Sequence, residues 1–338
     1  MKLKLSVLDQ TPIRKGSTAG ESLKESIELA KLADRLGYTR YWLSEHHNTI
    51  TLAGAAPEVF LARLGSETNQ IRLGSGGIML PNHSALKVAE NFRLLEALYP
   101  HRIDLGIGRA PGGDRATSQL LNPSNSFSPE EYIQQIRDLS AFLTDTPVPS
   151  NLNGKIRAIP SIDSSPDIWV LTSSGESAYL AAHFGLGLSY AQFINPVGGP
   201  EAIRLYKERF TASEKLTAPV TNVGIFVFCA ESEEKVAQAR ALMDYRLLSF
   251  EKGVYDQLYS YEDIKNYKYT ETEKQRLSYH HLRYIAGTPG EVKEEMTRLA
   301  ENFGTGEIVV ATFSDKKEDR LRSYELLADI FLTTGADQ

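Results

Sequence analysis

Short apolar runs alternate with amphipathic helical stretches along the whole chain. Leu3–Leu8 reads as a first strand. After the loop Asp9–Gly20, the residues Leu23, Ile27, Ala30, Leu32, Ala33 and Leu36 share one side of a helix, and Gly37 is placed to end it in a left-handed cap. Arg40–Ser44 is the second strand. Pro57–Thr68 reads as a helix with Val59, Phe60, Leu64 and Gly65 inward. Ile71–Ser75 is the third strand, followed by Gly76 and Gly77. His83–Leu98 is the next helix, ended by Pro100, and Arg102–Ile107 is the fourth strand, broken by Gly108. A polar, Gly/Pro-rich loop, Arg109–Phe127, leads to the helix Pro129–Leu143, with Ser128 as its N-cap.

The rhythm then repeats. An irregular Pro- and Ser-rich connection, Thr144–Pro166, precedes a fifth strand at Ile168–Leu171 and a helix at Gly175–Gly185. Leu186–Tyr190 and Asn222–Ala230 are strands six and seven, with helices at Gly199–Phe210 and Ser232–Leu248. The stretch Tyr255–Arg283 breaks the pattern: it is charged, Tyr-rich and without a clear period. Pro289–Asn302 is helical, Glu307–Ala311 is strand eight and Lys317–Phe331 is the last helix. Apolar strands alternating with amphipathic helices mean a parallel sheet covered by helices. Eight such units predict a (β/α)8 TIM barrel with insertions, one domain over 1–338. A doubly wound open sheet is the alternative. It usually has fewer strands and a Gly-rich turn after strand one, which is absent.

Composition narrows the function. The 338 residues, 41% hydrophobic, suffice for a large core. The net charge of −6, without a basic run, offers nothing to nucleic acid. No run approaches a membrane span, and the apolar part of MKLKLSVLDQT is too short for a signal peptide. One cysteine, Cys229, permits no intrachain disulfide, so a cytosolic protein is expected.

Candidate chemistry lies where strands end, since a barrel of this kind places its site at the strands' C-terminal mouth. In YWLSEHH, Tyr41–His47, an extended segment would put Glu45 and His47 on one face and His46 on the other. An imidazole with an ordinary pKa near 6.5 can serve as general acid or base; equally, both histidines fit as hydrogen-bonded loop-end residues. No metal-binding spacing accompanies them. In IRLGSGGIMLPNH, Gly76 and Gly77 either let backbone approach a flat ligand or form a tight bend. In DLGIGRAPGGD, Arg109 is placed to clamp a phosphate or carboxylate. In VLTSSGESAYLAA, the hydroxyls of Ser173, Ser174 and Ser177 and the helix start at Gly175 make an anion site, unless Ser174 simply caps the helix. In a barrel Arg109 and Ser173–Ser177 would be neighbours, and one phosphate could bridge them.

These stretches, with IAGTPGEV at 285–292 and DRLRSYELLAD at 319–329, occur in an order that resembles the bacterial luciferase-like flavin monooxygenases, related to the luciferase alpha subunit, over nearly the whole chain. The GRAPG loop is similar to that of an uncharacterised bacterial branch. The resemblance implies a barrel that binds FMN, reduced by a separate flavin reductase and delivered by diffusion. It implies that His46 acts as acid/base beside the flavin, with Glu45 the acid next to it. It implies that Gly76-Gly77 lies under the flavin ring, often with a cis peptide, and that Arg109, Ser174 and Ser177 hold the phosphate. It further implies a homodimer and a mobile lid at 255–283. Gly108 stands where luciferase has a reactive cysteine, and Gln192 where it has a tryptophan, which counts against light emission and long-chain aldehyde specificity. The expected activity is oxygenation of a small organic substrate by reduced FMN and O2. Hydride transfer with a deazaflavin and a non-catalytic flavin-binding role are the alternatives.

Overall fold

A computed structural model describes residues 3–109, 113–147 and 156–333. Strands β1 (Lys4–Asp9), β2 (Arg40–Leu43), β3 (Arg72–Met79), β4 (Ile103–Gly108), β5 (Asp167–Thr172), β6 (Gly187–Ala191), β7 (Thr221–Cys229) and β9 (Glu307–Ala311) pair in parallel and close on themselves, because β6 joins β7 and β9 joins β1. The predicted (β/α)8 barrel is therefore present. Its helices are α1 (Ala19–Leu36), α2 (Pro57–Gly65), α3 (Ala85–Leu98), α4 (Arg115–Leu121), α5 (Pro129–Thr144), α6 (Gly175–Phe184), α7 (Gly199–Arg209), α8 (Glu233–Glu251), α9 (Tyr261–Ile264), α10 (Glu271–His280), α11 (Pro289–Phe303) and α12 (Lys317–Phe331).

Strand residues divide by parity between two cores. Leu5, Val7, Tyr41, Leu43, Leu73, Leu105 and Val310 face outward into the layer shared with the helices. Leu8, Trp42, Trp169, Phe226, Phe228, Val309 and Ala311 fill the interior. The interior also holds charge. Arg40 donates to Asp104 at 2.8 Å and to Glu307 at 2.7 Å, and its guanidinium lies 4.5 Å from the centre of the Trp169 ring. Trp42 Nε1 and Ser6 Oγ complete the same two carboxylates. The crowding leaves no room for a side chain at position 74, where a Cβ would stand 2.4 Å from the Asp104 carbonyl oxygen.

Caps read from the sequence are in place: Gly37 is left-handed at the end of α1, and Ser128 Oγ accepts from Glu131 N at the start of α5. Four expectations need correction. A ninth strand, β8 (Tyr284–Gly287), extends the edge of β7 beyond β6. It is only four residues long and too short to show a period. The loop after β4 contains α4, whose N-cap Asp114 accepts from Thr117 N. Ala110, Pro111 and Gly112 of that loop, and 148–155 of the later connection, lie outside the described residues. The aperiodic stretch holds α9 and α10, each begun by a capping box, Ser260/Asp263 and Thr270/Glu273. Their surface is mostly polar, which hid them. Finally, Val59 points outward, 70% exposed, because α2 buries the stripe Pro57, Leu61, Leu64 and Gly65 and ends at Gly65 rather than Thr68.

Breaking a buried ion pair by removing one partner leaves uncompensated charge behind. Arg40→Met should therefore destabilise the barrel by about 3–5 kcal/mol, the range for such pairs. Equilibrium denaturation checks this, and a midpoint equal to that of the parent would contradict it.

Candidate active site

The segment after β2 is held by backbone bonds from three directions. Ser44 N donates to Asp9 O, Glu45 N to Gly77 O and His46 N to Gly54 O. The strand stops at Leu43, so strand alternation does not reach the histidines. Glu45 and His47 nevertheless meet, His47 Nε2 lying 2.8 Å from Glu45 Oε1. The Glu45 carboxylate, 1% exposed, also accepts from His83 Nε2 at 2.9 Å, Met79 N at 2.8 Å and Asn82 Nδ2 at 3.3 Å. Burial alone would raise its pKa; the bonds from His47 and His83 outweigh that and hold it at about 2. In return Glu45 raises the pKa of His83 against the effect of burial. Glu45 is thus placed to fix the loops after β2 and β3 against each other, and its oxygens are fully engaged.

His46 turns the other way and shares a 2.9 Å hydrogen bond between Nδ1 and Ser44 Oγ. With Nδ1 donating to the hydroxyl, Nε2 is the free ring nitrogen, able to accept a proton. Burial lowers the His46 pKa to about 4, and the nearby guanidinium of Arg246 on α8 pushes in the same direction. The ordinary value near 6.5 expected from sequence is therefore corrected: this imidazole is neutral at cellular pH.

Beside it, the Gly76-Gly77 peptide is cis, as the resemblance implies. A Cβ at Gly76 would stand 2.9 Å from Leu8 Cδ1, and one at Gly77 would stand 2.7 Å from Gly106 O. Neither position has room for a side chain, and the pairing with β4 slips by a residue between Gly76 and Ile78.

Arg109, at the end of β4, and the start of α6 do converge. Arg109 Nη1 lies 2.9 Å from Glu176 Oε2 in the first turn of α6. Ser174 occupies the N-cap position but its hydroxyl makes no capping bond. The turn is held instead by Thr172, whose Oγ1 accepts from Ser174 N at 3.0 Å and donates to Ser174 O at 2.7 Å. Ser174 and Gly175 are exposed, Ser173 is partly buried and Ser177 is buried. Gln192 is also buried, and its Nε2 donates to Leu282 O at 3.0 Å.

The segment 255–283 lies over the same mouth. Ile50 N donates to Asp256 Oδ1, Tyr261 N donates to Asp315 Oδ2, and Lys15 pairs with Asp263. An edge-to-face chain of Tyr259, Tyr245, Tyr267 and Tyr269 packs it on α8. Sequence reasoning missed Ser44, Asn82, His83, Arg246 and Tyr259. His83 ends the motif IMLPNH and was visible, but nothing local tied it to Glu45. Arg246 lies mid-helix and carries no motif.

A readout of this electrostatic arrangement is the titration of His46 by NMR. The midpoint should lie near 4 rather than near 6.5, and Arg246→Met should raise it by removing a repelling charge. A parent midpoint above 6 would contradict the arrangement.

The model of the luciferase-like monooxygenase family matches residues 3–306. The uncharacterised protein YwcH of Bacillus subtilis is 44% identical over 97% of this chain and 98% of its own. The N-acetyl-S-alkylcysteine monooxygenase of Bacillus subtilis is 34% identical over 98% of each. Among solved structures, apo-MsnO8 is similar at 37% identity with a TM-score of 0.90, covering 98% of this chain and 99% of that one.

Proposed function

The chain belongs to the luciferase-like monooxygenase family, and from that premise we propose that it is a cytosolic two-component enzyme which takes reduced FMN from a separate flavin reductase and uses O2 to oxygenate a small organic substrate. The observation that carries this reading is the convergence of Arg109 on the uncapped start of α6, on the same rim as the cis Gly76-Gly77 peptide and His46. Arg109, the Ser174 hydroxyl and the free N–H groups of α6 suit a phosphate. Ser173, Gly175 and Ser177 complete that turn. Gly76 and Gly77 present bare backbone suited to a flat ring. When bound, reduced FMN supplies the electrons that activate O2.

The chain's own residues do the rest. Arg109 exchanges its Glu176 partner for the phosphate and so orients the cofactor. His46, neutral and tethered by Ser44, accepts or returns a proton at its free ring nitrogen. Glu45 positions His46 by fixing the loops on either side. The segment 255–283 excludes water, which would otherwise divert the reaction. No helix among the described residues is long and apolar enough to cross a membrane.

We also propose a homodimer through α2 and α3. These adjacent helices expose Val59, Leu94 and Leu98, apolar side chains with no cover in the monomer. Light scattering at micromolar concentration should give twice 37.6 kDa; a mass of 37.6 kDa would contradict it.

The cofactor reading is tested by FMN titration. Arg109→Ala should weaken FMN binding by about 1.5–3 kcal/mol, the range for a hydrogen bond to a charged group. Glu176→Gln should tighten it, since the competing carboxylate is gone. His46→Gln should leave FMN affinity unchanged while hydrogen peroxide release rises at the expense of product. An Arg109→Ala variant with parental FMN affinity would overturn the phosphate site, and full coupling in His46→Gln would reduce His46 to a packing residue.

A further inference from the structure

A polar group buried without a hydrogen-bond partner is costly, and a fold that keeps one has a use for it. Tyr132, in the first turns of α5, carries such a group. The residue is 2% exposed, and its hydroxyl has no hydrogen-bond partner. The other deeply buried tyrosines are treated differently. Tyr38, Tyr41, Tyr190, Tyr206, Tyr284 and Tyr324 each donate to a backbone carbonyl or an aspartate. Among the buried tyrosines of the described residues, Tyr132 is the exception.

Its place in the fold bears on the phosphate site. α5 is the helix that returns from β4, so its first turns stand at the mouth of the barrel. One helical turn beyond Tyr132, Gln135 Nε2 donates to His83 O at 2.9 Å, on the turn that follows β3. α5 also lies beside α6, since the Arg137 guanidinium is 6.0 Å from the centre of the Phe184 ring. Long side chains on a helix lean toward its N-terminus, which carries the phenol tip toward the rim. Arg109, the residue that leaves β4, is the charged group whose field reaches the hydroxyl. Burial keeps the phenol protonated at neutral pH, and so able to donate.

We propose that Tyr132 is a further residue of the phosphate site, its hydroxyl donating to an oxygen on the inner side of the group that Arg109 holds from the rim. The inference rests on the cofactor reading above and adds a residue to it. Arg109 and the Ser174 hydroxyl approach from the exposed side, where water competes with them. Tyr132 approaches from the layer between helices and barrel, where a hydrogen bond to a charged oxygen is stronger. The unpaired hydroxyl is then a cost to the flavin-free protein that binding removes. Local rules of this kind are broken where a site needs the group.

Tyr132→Phe removes the hydroxyl and keeps the ring. Anaerobic fluorescence titration with reduced FMN and reduced riboflavin separates the phosphate from the flavin ring. The variant should bind FMN roughly tenfold more weakly, as expected for a lost hydrogen bond to a charged group, and riboflavin as the parent does. Thermal denaturation of the flavin-free protein gives a second readout. There the variant should melt at the parent's temperature or above it, because the hydroxyl it lacks was unpaired. A variant that melts several degrees lower, or does not fold, shows the hydroxyl bonded within the free protein and overturns the proposal. Parental FMN affinity in the variant, or an equal loss for both flavins, overturns it too; the parent then still binds FMN and the flavin reading stands. A parent that binds FMN no better than riboflavin has no phosphate site, and one that binds neither refutes the flavin reading; both results overturn the proposal as well.

Discussion

One buried carboxylate organises the mouth of this barrel. Glu45 gathers four donors from two loops: His47 from its own segment, and Met79 N, Asn82 and His83 from the end of β3. The first consequence is mechanical. The loop bearing His46 and the strand bearing Gly76-Gly77 cannot move independently, because both hang on the same two oxygens. The second is electrostatic. With its pKa held near 2, Glu45 is ionised at neutral pH and is not poised to donate a proton there. Its neighbour His46 is left as the neutral group with a free ring nitrogen. Adjacent residues are thereby given opposite characters, one a fixed anion and the other an uncharged imidazole, by environment alone.

The mouth so organised has two halves. Arg109 and the start of α6 offer a polar, exposed rim suited to a phosphate, while on the opposite side Arg246 stacks on Phe313 beside a small cavity of about 60 Å³. In the barrel floor beneath, Trp42 and Trp169 pack edge to face, and Arg40 lies over Trp169 and is ion-paired with both Asp104 and Glu307. Chemistry placed on loops gains precision when the strands below are fixed in this way.

The barrel was legible in the sequence because strands and helices differ in period, and every barrel strand carried an apolar run of ordinary length. What escaped detection was short or polar. β8 has four residues, α9 has four, and α10 exposes most of its surface. The orientation of Val59 was misread because hydrophobicity alone does not set the phase of a short helix. Site residues next to strand ends were legible one by one, and the approach of Arg109 to α6 followed from the order of strands. The Glu45–His83 contact joins positions 38 apart in sequence, and Tyr259 comes beside Arg246 only because the segment after α8 folds back onto that helix. Neither has a local signature. The pKa of His46 was likewise beyond reach, since it depends on burial and on a charge from another element.

The most direct test of the account is a crystal structure of the protein with FMN. The account places the phosphate between Arg109 and the first turn of α6, the ring against Gly76-Gly77 with His46 at its edge, and the Arg246 cavity empty of cofactor. A phosphate seated on Arg246, or a ring lying away from Gly76-Gly77, would contradict it.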